Sequence, residues 1–123
     1  MHDIGKIAMP DAVLLKKGKL TPEEWVVMKK HPALGHSILD GSTRPVIAAA
    51  AIIAHQHHEK VGGSGYPQGL AGDAIHLYAR IIAVADVFDA LSHVRCYKPA
   101  WPIAEVLTYL RDAGGSHLDA RIV

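Results

Sequence analysis

The sequence predicts an all-α bundle. Three observations carry this: a well-formed helix start at Thr21-Pro22, a succession of apolar and Ala-rich runs bounded by Pro and Gly, and no alternating polar–apolar stretch of useful length. In Thr21-Pro22-Glu23-Glu24, Thr caps the helix and Pro sits in the first turn, where its missing N–H is not needed. Glu24, three residues on, closes a capping box. Trp25, Val27 and Met28 give this helix its apolar face. His31-Pro32 interrupts it, because proline disfavours a helical residue before it. A short helix follows to Leu39 and stops at Asp40-Gly41.

Pro45 opens an Ala-rich helix to about His58. Val61 to Gly72, with five glycines and Pro67, is a loop. Leu77 to Ser92 and Pro102 to Ala113 are further helices, the second ended by Gly114-Gly115. His117-Leu118-Asp119 caps a last turn. Apolar residues surround the Leu77–Ser92 helix on all sides, so it is expected to be buried, and Asp86 with it.

At 123 residues the chain is one domain with a modest core. Both ends read as cut. His2-Asp3 has no helix before it, and the final helix starts near Asp119 and stops at once. The expectation is a domain over 1–123 taken from something longer, or one that borrows helices. A net charge of +1 without a Lys/Arg run gives no electrostatic case for nucleic acid. The longest apolar run, Val46 to Ala54, is far short of the roughly 20 residues a membrane span needs. No secretory signal opens the chain. The single cysteine, Cys96, forbids an internal disulfide and fits a reducing compartment. A cytoplasmic protein without nucleic-acid or membrane partners is expected.

The histidines are anomalous: nine in all, with three in His55-Gln56-His57-His58. His2, Asp3, His31, His57, His58 and Asp86 carry the side chains that hold transition metals. Two ions about 3.5–4 Å apart clamp the attacking and leaving oxygens of an in-line phosphoryl displacement.

Each residue also has a plainer reading. A buried Asp86 needs a metal or a partner such as a core Tyr or Arg. His57-His58 is equally a solvated helix end; as helix neighbours they do not face each other, so they would serve different metals, or one metal and one substrate contact. His2-Asp3 could be a loose terminus. Lys6, one turn from Asp3, could hold a phosphate oxygen. His31 sits at a rigid helix break, and His36, a turn on, competes with it. His55 is surface or lies behind the ligands; His76, His93 and His117 are surface residues, and Asp89 is structural. The Gly62–Pro67 stretch lacks the strand and Gly-Lys-Ser/Thr of a phosphate-binding P-loop. Arg95-Cys96-Tyr97-Lys98 either grips a phosphate and stacks a base or is an ordinary helix-end cluster.

Order and spacing sharpen these readings. His2-Asp3-Ile4-Gly5-Lys6, His31 after Met28-Lys29-Lys30, His57-His58-Glu59, Gly63-Ser64-Gly65-Tyr66-Pro67, Ala85-Asp86-Val87-Phe88-Asp89-Ala90-Leu91 and Arg95-x-Tyr97-Lys98 follow in turn. From His2 to about Asp119 the chain resembles the HD-GYP family, a branch of the HD phosphohydrolase superfamily. The resemblance implies a helical HD-domain bundle that hydrolyses cyclic di-GMP to linear pGpG or GMP. It implies divalent transition metals, iron foremost, with manganese, nickel or zinc accepted. The ligands would be His2, Asp3, His31, His57, His58 and Asp86, with Asp3 bridging. Asp3 and Lys6 would be catalytic, Lys6 on the scissile phosphate. Tyr66, Arg95 and Lys98 would contact substrate, and the Gly62–Pro67 loop would face substrate or GGDEF-domain cyclases.

The chain departs from the family pattern in places. Gly62 stands for an Asp, which is expected to loosen the loop; Cys96 stands for a frequent Pro; Leu118-Asp119-Ala120 stands for Phe-Asp-Pro. The family's first helices, which supply a Glu and a His to a third ion, are not in the sequence, so two ions are expected. Apolar faces left without those helices predict a homodimer or helix-exchanged oligomer. Two other functions fit the same residues: a degenerate module that binds nucleotide or a cyclase without turnover, and a hydrolase of another cyclic dinucleotide.

Overall fold

The computed structural model describes residues 1–95 and 98–123; Cys96 and Tyr97, with the readings placed on them, lie outside the described residues. A 3-10 turn at Ile4–Ala8 leads into α1 (Asp11–Leu14), α2 (Pro22–Met28), α3 (His31–Leu39), α4 (Pro45–Gln56), α5 (Leu77–Ser92) and α6 (Ile103–Ala113). Among the described residues, β structure is limited to the isolated bridges Gly62–Ala71, Arg95–Lys98 and Gly114–Leu118. The all-α expectation holds, and no helix described is long and apolar enough to cross a membrane.

The capping box at α2 is present in full: Glu24 N–H donates to Thr21 Oγ1 at 3.2 Å, and Thr21 N–H to Glu24 Oε2 at 2.8 Å. Pro32 takes the second position of α3, where no backbone N–H is required, so the chain breaks at Lys29-Lys30 and His31 opens the next helix. α2 buries none of its residues, however, and Trp25 is 46% exposed. Of its expected apolar face, Trp25 lines a groove, and Val27 and Met28 are half-buried.

α3 packs on α4 and on the Ile4–Ala8 turn. The contact is close because the facing residues are small. Leu39 meets Ala50, Ala51 and Ala54, with Ile4 and Ile47 at the margin. Gly5 lies against the His31 backbone so tightly that a methyl there would overlap the His31 carbonyl oxygen. A second cluster of Ala83, Val106, Leu110 and Leu118 joins α5 to α6.

α5 is not the buried helix its composition suggested. Only Ala79 and Ala83 are buried, and Ile81 and Phe88 are exposed. α4 covers one side of it and α6 another, while Tyr78, Ile81 and Phe88 stay exposed.

The C-terminal turn is fastened by charge. Asp119 accepts from Arg80 Nη1 at 2.5 Å and from Arg121 Nη2 at 2.8 Å, and Arg121 also reaches Asp73 at 2.5 Å.

Candidate metal centre

The fold brings all six ligand candidates to one place. Met1 and Asp3 carbonyls accept from Ile4 and Lys6 N–H at 3.1 and 3.0 Å, curling the first residues into a turn that holds Asp3 over α3. His31, 1% exposed, projects from the first turn of α3. α4 ends at Gln56, not His58; His57 caps it with helical backbone, and the chain then turns. That early end removes the constraint expected of helix neighbours. The His57 and His58 rings come to 4.1 Å and join one cluster rather than pointing to different places.

Ring-nitrogen and carboxylate atoms of Asp3, His31, His57 and His58 all lie within 4.8 Å of one another. On the other side of Asp3, His2 Nε2 lies 3.6 Å from Asp3 Oδ2 and 3.7 Å from Asp86 Oδ1. Asp3 therefore stands between an inner group and an outer one. Asp86 is 39% exposed at its side chain, against the expected burial, and opens on a pocket it shares with His2, Ile82, Ala85 and Asp89.

The hydrogen bonds fix what the inner group can accept. His31 Nδ1 donates to the Met28 carbonyl at 2.7 Å, and His57 Nδ1 to that of Ala54 at 3.0 Å. In the neutral rings this leaves Nε2 of each as a lone pair. These two Nε2 atoms face each other at 3.4 Å. Asp3 Oδ1 lies 3.3 and 3.5 Å from them, buried and without a hydrogen bond. Three acceptors thus converge with no proton between them. Either an imidazole takes a second proton, which burial opposes, or a cation fills the gap. A donor set of imidazoles and a carboxylate fits a divalent transition metal.

Charge in the cluster is arranged accordingly. Burial, with His57 and His31 adding to it, pushes His58 down to about 3, so the ring is neutral and keeps a lone pair at neutral pH. Burial likewise lowers His2, against the pull of Asp3 and Asp86.

The remaining sequence candidates divide. Lys6 Nζ donates to Asp3 Oδ2 at 2.8 Å, at the edge of the cluster. Tyr66 stacks on His58, ring centroids 4.8 Å apart, and burial raises its hydroxyl to about 12. Arg95 and Lys98 exchange backbone hydrogen bonds after α5, and the Arg95 guanidinium faces Asp89 at 4.0 Å. His36 is outside the cluster, stacked on His55 at 4.5 Å. His93 is exposed beside Asp89, and His76 is exposed and caps α5. His117, expected at the surface, is half-buried.

The sequence reading assigned no role to Glu59. It is 3% exposed, and its carboxylate accepts from the N–H groups of Gln68 and Leu70 at 2.7 and 2.9 Å. Gly62 N–H donates to the Ser116 carbonyl at 2.8 Å, and Tyr66 N–H to that of His58 at 3.2 Å. The loop expected to be loose at Gly62 is therefore tied at several points. Glu59's only sequence signal was its place directly after His57-His58.

A family model described as an HD domain matches residues 1–122. The chain is 55% identical over its whole length to the cyclic di-GMP phosphodiesterase response regulator RpfG of Xanthomonas campestris, covering 32% of that protein. It is 46% identical, again over its whole length, to 3'3'-cGAMP-specific phosphodiesterase 2 of Vibrio cholerae, covering 24% of it. A cyclic di-GMP phosphodiesterase of Thermotoga maritima is 44% identical, with 33% of its length covered. The chain thus spans about a third or less of these relatives. With that match along nearly every residue, and the His-Asp cluster at its centre, the chain belongs to the HD-domain family, in its HD-GYP branch.

Proposed function

We propose that this domain is a metal-dependent phosphodiesterase that opens cyclic di-GMP to linear pGpG and GMP. The observation that carries the reading is Asp3: a buried, unbonded carboxylate oxygen between imidazoles on one side, with His2 and Asp86 on the other. His31, His57, His58 and Asp3 would hold one divalent ion; His2, Asp86 and the same Asp3 would hold a second, iron or manganese before nickel or zinc. Such ions supply Lewis-acid charge and an acidified water.

The chain's own groups complete the chemistry. The Nδ1 bonds of His31 and His57 fix their rings, so both present Nε2 without reorganisation. His58 stays neutral. The Lys6 ammonium, held by Asp3, lies where it offsets charge on the phosphorus oxygens of a bound diester. Tyr66 closes one side of the site over His58. Arg95 and Lys98, both exposed, are available to a second phosphate.

A second reading has its own support: a relative at 46% identity is named for 3'3'-cGAMP. Turnover of both cyclic dinucleotides by the iron- and manganese-loaded protein, with products resolved by chromatography, separates the two. Cleavage of cyclic di-GMP with the higher kcat/KM is expected; preference for 3'3'-cGAMP would reassign the substrate, and binding without cleavage of either would make the domain a nucleotide-binding module. We also assign the exposed part of the Gly62–Pro67 loop, Gly62, Ser64 and Pro67, to contact with a GGDEF-domain partner. The open α5 face, with Tyr78, Ile81 and Phe88, is assigned to a homodimer or helix-exchanged oligomer, to be read as a doubled mass by light scattering.

A further inference from the structure

A cavity of about 810 Å³ opens beside Tyr66 and His58. Its wall includes Trp25, Val26, Lys29, His58, Lys60 and Tyr66, and no carboxylate lines it. The volume falls in the range of small-molecule sites. Its chemistry is unlike that of a packing defect. Tyr66 is already engaged, by His58 on its face and by the Lys29 ammonium 5.4 Å from its centroid. Trp25 is not, and its indole is 46% exposed on a helix that buries nothing. The cavity therefore offers a free aromatic face, two ammonium groups and a wall shared with the metal cluster through His58.

We propose that this cavity is a purine-nucleotide subsite: the base stacks on Trp25, and Lys29 and Lys60 take the adjoining phosphate charge. A base has a π-face for the indole, and a nucleotide has the anion that two lysines without a carboxylate call for. The placement rests on the reading that the cluster acts on a nucleotide diester, since it lets one nucleotide unit lie in the cavity while its ester reaches the cluster past His58. Trp25, Lys29 and Lys60 are then binding residues that set affinity for the purine end of the substrate, not the chemical step.

The test uses metal-loaded protein carrying Trp101→Phe, so that Trp25 is the sole emitter. Saturable quenching of Trp25 by GMP is expected, with none by ribose 5-phosphate, which has the phosphate but no base. Trp25→Leu is expected to raise KM for cyclic di-GMP about tenfold or more, the scale of one lost base–aromatic stack, with kcat little changed. Lys29→Met with Lys60→Met is expected to weaken the GMP response. Absence of saturable quenching in folded protein, or an unchanged KM in Trp25→Leu, overturns the subsite. Turnover without a Trp25 response sinks the subsite and leaves the phosphodiesterase reading standing. Quenching without turnover does the reverse.

Discussion

A buried carboxylate oxygen with no donor is costly, and Asp3 Oδ1 is such an atom, facing two imidazole lone pairs. Filling that gap with a cation links metal binding to folding. A chelator is therefore expected to lower the Tm of the metal-loaded protein and to leave that of Asp3→Asn unmoved, since the amide cannot bridge as a carboxylate does. Thermal melts with and without chelator read this directly. Gly5 is the other residue on which the centre depends, because its lack of a side chain lets the His-Asp turn lie on the His31 backbone. Gly5→Ala is expected to cost about 1–3 kcal/mol, the scale of overpacking, and to reduce bound metal by shifting Asp3 off His31. Denaturant melts beside metal analysis check both effects. The six ligand candidates were legible in the sequence because their side chains hold metals and their order along the chain is specific. Their geometry was not. The early end of α4 at Gln56, which lets His57 and His58 converge, leaves no mark in composition.

At the scale of elements, the Val61–Gly72 segment is a structured arm, and Glu59 is its anchor. Removing that carboxylate leaves two backbone N–H groups without their acceptor. Glu59→Ala is expected to cost about 2–4 kcal/mol, given roughly 1.5–3 kcal/mol for a hydrogen bond to a charged group and incomplete loss of two. Amide exchange at Gln68 and Leu70 is expected to accelerate in Glu59→Ala and less in Glu59→Gln, which keeps one acceptor. Equal exchange in all three proteins would remove Glu59 from this role. Helices with caps and stops were readable in advance; α2 with its capping box is the clearest. The four-residue α1 and the 3-10 turn at Ile4–Ala8 were not, since neither is long enough to show a period. The firmness of the loop was missed for a different reason. It comes from one buried carboxylate and from residues 116–117, far away in sequence.

At the scale of the molecule, two small clusters and one charge network among the described residues hold the helices together. Hydrogen bonds from Arg121, then Arg80, hold the Asp119 carboxyl well below the ordinary carboxylate range. A group depressed in this way stabilises fully above its unfolded value of about 3.9 and loses that contribution as pH falls toward the folded one. Acid below about pH 4 is thus expected to free the C-terminal turn, and Asp119→Asn to flatten that part of the Tm-against-pH curve. The misjudged burial of Asp86 also belongs to this scale: apolar residues all round a helix show what it could bury, not what is there to cover it, and Asp86 opens on a pocket beside His2 while Ile81 and Phe88 stay exposed elsewhere on α5.

The most direct measurement is metal content per chain on protein purified without oxygen, for the natural sequence and for His58→Ala and Asp86→Ala. About two ions per chain are expected, in keeping with a site that clamps both oxygens of a phosphoryl displacement, with loss of metal in each variant. Folded protein that takes up no iron or manganese would contradict the metal centre itself, and a full complement in both variants would contradict the ligand set.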